Sequence, residues 1–247
     1  MTGKISRATP RKPAEGREVR TVIKRGSVRG GLLAAVVAGS LLLGATGCGE
    51  DGNKDGVPKD YEVVSGTQLC GGDAMSADAA KALKLITGSS RFEASAKKYT
   101  VAQAAADFVK AFWDPKVYRG DACRVYMPIG TPDFQLRITW RRAHSAPSGN
   151  PAQKFTVLKM GEETLAAADM AHVQFACKSG KLADPLGPAH IVIGVERWGM
   201  PKPPEGDIKA LKNAYATVAH SFSLAMAKEL RCEKNGGLPA KPVLIPA

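Results

Sequence analysis

The sequence predicts an α+β domain, an antiparallel β-sheet packed against two N-terminal helices and one long C-terminal helix. Three stretches carry that prediction. Phe134 to Arg141 alternates without a break, with Phe134, Leu136, Ile138 and Trp140 on one side and Gln135, Arg137, Thr139 and Arg141 on the other, the pattern of a strand with one packed and one solvated face. Thr100 to Gln103 reads as a capping box that opens a helix in which Val101, Ala105, Phe108 and Phe112 share one side. From Ile208 through Leu211, Tyr215, Val218, Phe222 and Ala225 an apolar stripe recurs at helical spacing up to Leu230, which reads as core and not as a cofactor box.

Taken in order, residues 1–47 read as a targeting segment with an extended basic lead-in. Lys24, Arg25 and Arg29 flank an apolar run, Gly31 to Gly47, that has the core length and small-residue exit of a signal peptide. It falls short of the roughly 20 apolar residues a spanning helix needs. Its end, Ala45-Thr46-Gly47-Cys48, resembles the lipobox of bacterial lipoproteins, with alanine where that family prefers leucine. By that resemblance Cys48 carries a diacylglycerol and becomes the first mature residue. Residues 48–60 are polar, Gly-rich and without periodicity, the composition of a flexible tether.

A single domain is expected over 61–235. Tyr61 to Leu69 reads as a strand, Gly71-Gly72 as a turn, and the next stretch as a helix capped by Ser76, with Leu83 and Ile86 inward and Gly88 as its stop. Asp114-Pro115 ends the helix that Thr100 opens. Cys123 to Met127, Phe155 to Met160, His172 to Cys177 and His190 to Trp198 are expected as companions of the alternating strand, with Ser145 to Pro151 and Ser179 to Pro188 as loops. A short helical turn is expected over Glu163 to Asp169. Asp207 opens the long helix, Gly236-Gly237 end it, and the Pro-rich tail, 236–247, is expected to trail along the surface.

The net charge of +12 is unevenly placed. Nine basic and two acidic residues precede Cys48, leaving +7, whereas the 26 basic and 21 acidic residues after it leave +5. Most of the imbalance therefore belongs to targeting, and nucleic acid is a poor partner for the rest. Apart from Cys48, the cysteines are Cys70, Cys123, Cys177 and Cys232, an even number in a compartment that permits disulfides. Of the three pairings, Cys70 with Cys123 and Cys177 with Cys232 is expected, since each then ties a strand to the edge of a neighbouring element. Spacings this wide, without Cys-x-x-Cys or clustered histidine, argue against zinc.

Leu69-Cys70-Gly71-Gly72 at the first helix, Phe175-Ala176-Cys177 on a strand and Ala219 to Cys232 closing the last helix, in this order of elements, resemble the small secreted lipoproteins of actinobacteria, including families of unknown function from Streptomyces and mycobacteria. The resemblance covers Leu69 to Cys232. It implies an envelope domain anchored on the outer face of the cell membrane and brings no catalytic residue with it.

No metal, cofactor or catalytic constellation stands out. Ser95-Ala96-Lys97-Lys98, Ser148-Gly149-Asn150 and Lys178-Ser179-Gly180 follow the three motifs of penicillin-recognising enzymes. Their spacing is too compressed for that fold, and Ser95 precedes a helix cap. His144, His172, His190 and His220 are scattered. The surface feature with functional meaning is the polar side of the alternating strand, where Arg137, Arg141 and Arg142 are the candidate anion-binding residues, with Arg124 or Lys154 nearby. The expected function is a non-catalytic binding or interaction module whose partner is an envelope lipid, a cell-wall polymer or a protein. The alternative is an envelope hydrolase or transferase whose site is assembled from distant residues.

Overall fold

Residues 62–128, 135–182, 187–198 and 204–247 are described by the computed structural model. The expected targeting segment, Cys48, the expected tether, Tyr61, and Phe134 lie outside the described residues. In chain order the elements are β1 (Val63–Ser65), α1 (Ala77–Thr87), β2 (Arg91–Glu93), α2 (Val101–Phe112), β3 (Arg119–Tyr126), β4 (Gln135–Ala143), β5 (Thr156–Leu158), β6 (Glu163–Ala166), β7 (Met170–Cys177), β8 (Ala189–Trp198) and α3 (Ile208–Glu229). The class is mixed α+β with an antiparallel sheet, as the sequence predicts. Six strands run β3-β4-β8-β7-β6-β5, every pair antiparallel, and β1 and β2, with α1 between them in the chain, form a separate antiparallel pair.

Local chemistry sets the helix starts. The hydroxyls of Ser76 and Thr100 accept the Ala79 and Gln103 N–H groups at 3.1 Å each, and Asp207 Oδ1 accepts that of Ala210 at 2.6 Å, satisfying donors that the first helical turn leaves unpaired. Gln103 turns its own amide to Asp107 at 2.9 Å, so only half of the expected capping box forms. Gly88, at φ +77°, stops α1.

One side of the sheet is dry. Leu136, Ile138 and Trp140 of β4 and Val173 and Phe175 of β7 are buried there, and Trp140 meets the edge of Phe108 from α2 at 5.3 Å. The long helix α3 lies against β6, β7 and β8 on one side and against α1 and α2 on others. Every residue from Ala214 to Ser223 is consequently buried, which a single apolar stripe does not foretell. Its polar residues are satisfied locally: Thr217 and Ser223 donate to the carbonyls of Asn213 and Ala219. The Ser221 hydroxyl donates to the Ala74 carbonyl and accepts the Ser76 N–H, joining α3 to the start of α1. Ile208, at the start of the stripe, is exposed.

The disulfides are Cys70–Cys123 and Cys177–Cys232, the expected pairing. Four expectations are corrected. The first strand stops at Ser65, and Gly66–Gly71 is a 3-10 segment that delivers Cys70 to β3. Glu163 to Ala166 is strand, because Thr164 and Ala166 both face the core in register with β7. The long helix ends at Glu229, well before Gly236-Gly237, where Arg231 turns left-handed at φ +57° and Cys232 is tied to β7. The tail does not trail: Leu238 is buried, the Pro239 carbonyl is held by His220, and Ile245 to Ala247 run along β5 with hydrogen bonds from Lys159 N–H to Ile245 and from Ala247 N–H to Val157.

Candidate functional site

The pleat that buries Leu136, Ile138 and Trp140 turns Arg137, Thr139 and Arg141 to the opposite side of the sheet. Register adds Arg119, Asp121 and Arg124 from β3, Val192, Gly194 and Glu196 from β8, and His172 and Gln174 from β7. The connection from β4 to β5 crosses part of this side, since the Ser145 carbonyl accepts from Gln174 at 2.8 Å and the Phe155 ring lies 6.0 Å from that of His172. Beside that crossing lies a hollow of about 320 Å³, with Arg119, Asp121, Arg137, Thr139, Arg141 and His172 around it.

Two glycines line it. A Cβ on Gly194 would sit 3.0 Å from Thr139 Oγ1 and 3.1 Å from His172 Nδ1, so the floor stays open only because no side chain grows there. A Cβ on Gly120 would lie 2.5 Å from the Trp140 ring. Without it the indole fits against β3 on the helical side of the sheet, where its buried Nε1–H has no hydrogen-bond partner among the described residues. Leaving such a donor unpaired costs about 1–3 kcal/mol.

The charges sort into two groups. Asp121 accepts from Arg124 Nη2 at 2.6 Å and from Arg137 Nε at 2.8 Å. Burial alone pushes its carboxyl up, but the two guanidiniums outweigh that and hold it below the ordinary 3.8. Arg137 also stacks over Trp198 at 4.4 Å and lies 3.9 Å from Glu196. Arg124 and Arg137 are thus neutralised. Arg119 and Arg141 stand directly opposite each other across β3 and β4, and neither forms an ion pair with a described residue. Like charges facing across a strand pair are unfavourable, and a bound anion relieves them.

Of the three arginines expected here, Arg137 and Arg141 reach the hollow but Arg142 does not. One residue on in the pleat, it points to the helical side, where its Nη1 donates to the Phe112 carbonyl at 2.6 Å and the Ala111 carbonyl at 3.2 Å. It caps α2 instead of binding a ligand. Arg119 was missed, because only register places it beside Arg141. Lys154 lies over Phe155 at 5.1 Å.

The serine motifs serve local structure. Ser95 Oγ accepts the Cys70 N–H at 2.9 Å, and Ser179 Oγ donates to the Leu230 carbonyl at 2.5 Å. His190 Nδ1 sits 2.9 Å from Glu162 Oε2, which also accepts from Gln174 at 3.2 Å. Among the described residues no group of histidine, cysteine and carboxylates could hold a metal ion, and no helix is long and apolar enough to cross a membrane.

Two histidines give the fold an acid limb. Burial, reinforced by Arg141 and Lys154, pulls His172 below 6.5, and burial pulls His220 below 6.5 against the raising effect of the Pro239 carbonyl. The unfolded chain therefore takes up protons that the folded one refuses, so stability is full above pH 6.5 and falls as the pH drops from there through the depressed folded values. Urea midpoints across this range are expected to show that fall. His220→Gln, which keeps a donor for Pro239, should flatten it, and an unchanged limb in that variant would refute the assignment.

Compared with known protein families, curated proteins and solved structures, the chain matches none, so its chemistry is read from this hollow.

Proposed function

We propose that the chain is an extracytoplasmic binding module of the cell envelope, of the actinobacterial lipoprotein type, held to the membrane by a diacylglycerol on Cys48, and that its ligand presents an anionic group to the hollow. The observation that carries this reading is the opposed pair Arg119 and Arg141 at the hollow, neither with a carboxylate partner among the described residues. Two guanidiniums are donors only, and they call for an acceptor-rich, negatively charged group. In this reading the two N-terminal helices and the long C-terminal one are the backing that keeps the sheet rigid, leaving its other side for the ligand. The ligand belongs to an envelope lipid, a cell-wall polymer or an acidic protein segment.

Calorimetric titration of the membrane-extracted protein with glycerol phosphate tests the site. Saturable binding is expected, and Arg119→Gln or Arg141→Gln should each weaken it by roughly 10- to 150-fold, the worth of one hydrogen bond to a charged group. Equal heats in wild type and variants would remove the hollow as a binding site. The anchor is tested by intact mass: a species beginning at Cys48 with diacylglycerol added is expected, and a chain retaining residues 1–47 would overturn it.

One observation favours the catalytic alternative. A carboxylate on Nδ1, as Glu162 is on His190, orients an imidazole for general-base work. No hydroxyl or thiol among the described residues hydrogen-bonds to that ring. A turnover lost in His190→Gln with glycerol phosphate binding retained would select this alternative.

A further inference from the structure

The turn between α2 and β3 presents three large apolar side chains to solvent: Trp113 is 62% exposed, Val117 40% and Tyr118 51%. The segment carrying them is pinned. Arg142 binds the last carbonyls of α2, Asp114 N–H donates to the Ala111 carbonyl at 3.1 Å, and Lys116 N–H donates to Asp114 Oδ1 at 2.9 Å. Val117 N–H donates to the Asp114 carbonyl at 3.2 Å, and the Tyr118 carbonyl accepts from Arg142 N–H at 2.8 Å. Trp113 stands edge-on to Phe112 with centroids 5.0 Å apart. The backbone is thus fixed in a shape that holds these side chains out, and clustered apolar exposure of this kind marks an interaction surface.

Its chemistry names the partner. Lys116 lies between the aromatics, and Arg119 follows Tyr118 directly while also bordering the hollow with Arg141. Trp and Tyr interleaved with basic residues are the composition of a membrane–water interface, where amphipathic rings sit among headgroups and cations meet phosphates. We infer that the Trp113 to Tyr118 turn seats the domain on an anionic phospholipid surface, so that Arg119 and Arg141 take a lipid headgroup phosphate. This rests on the anion site proposed above and names its ligand class. A Gly-rich linker of the length of Gly49 to Tyr61 spans about 20 Å on average, which keeps a domain anchored at Cys48 within reach of the bilayer beneath it.

The test uses the anchored protein in vesicles of phosphatidylcholine brominated on the acyl chains, with or without phosphatidylglycerol, and reads tryptophan quenching. Quenching is expected to be strong with phosphatidylglycerol, to be mostly lost in Trp113→Phe and to persist in Trp198→Phe. Arg119→Gln with Arg141→Gln should lower the docked-to-undocked ratio about 30-fold, the worth of two basic residues at an anionic surface. Unquenched Trp113 would overturn the inference, as would quenching indifferent to the two arginines or to phosphatidylglycerol. Protection of Trp113 that follows protein concentration instead of lipid would assign the turn to a second copy of the chain and overturn it too. Glycerol phosphate binding on the same preparation separates the failures: if it persists while docking fails, the hollow stands without the membrane, and if both fail, neither reading stands.

Discussion

Replacing both Cys177 and Cys232 by serine is expected to lower the unfolding free energy by about 4 kcal/mol, the chain-entropy value for a loop of 55 residues. In a domain of this size that is a drop of about 10 °C in melting temperature. The bond closes the junction on which the core depends, since it joins the end of β7 to the residue after α3 has ended. Around it the Glu233 N–H donates to the Lys178 carbonyl at 2.9 Å, and Ser179 holds the carbonyl of buried Leu230. Losing the bond frees the end of the most buried helix. Urea unfolding of the double variant, and of the wild type with and without reductant, checks this, and coincident midpoints would show that packing alone holds the junction.

Asp121→Asn is expected to move stability and binding in opposite directions. The carboxylate sits between Arg124 and Arg137 with about a fifth of its side chain exposed. Hydrogen bonds to charged groups are worth about 1.5–3 kcal/mol each, and partial solvent screening brings the loss for the pair to about 2 kcal/mol. The same change releases two guanidiniums next to the hollow, so affinity for glycerol phosphate should rise several-fold. Because the folded carboxyl lies below 3.8, its stabilisation is present above that pH and is lost as the pH falls through the folded value. A variant that loses stability without gaining affinity would mean that Arg124 and Arg137 do not face the ligand. Paired denaturation and titration decide it.

Period-two alternation gave β4, flanking turn-rich stretches gave β7, and capping residues gave α1, α2 and the start of α3, because those signals are local. The disulfide pairing was legible for the same kind of reason, as each cysteine lay at the edge of an expected element. What a neighbour decides was not legible. Glu163 to Ala166 is strand because β7 offers it an edge, and Pro246 docks because β5 leaves one open. In the hollow, Arg137 and Arg141 followed from alternation alone. Arg119 required register, and Arg142 was misplaced by one step of the pleat. A linear reading counts cations, but it cannot tell which of them Asp121 has already neutralised.

The order of strands has a consequence for a chain that appears N-terminus first. β8 lies between β4 and β7 in the sheet, and α3 fills the space between that sheet and α1, yet both come from the last third of the sequence. Until that third has emerged, β4 and β7 have no common neighbour, α1 lacks the long helix it packs against, and Cys177 has no partner. Completion of the fold is therefore deferred to the end of synthesis. Truncations short of Cys232 are expected to be more open to protease than the whole chain, which limited proteolysis checks.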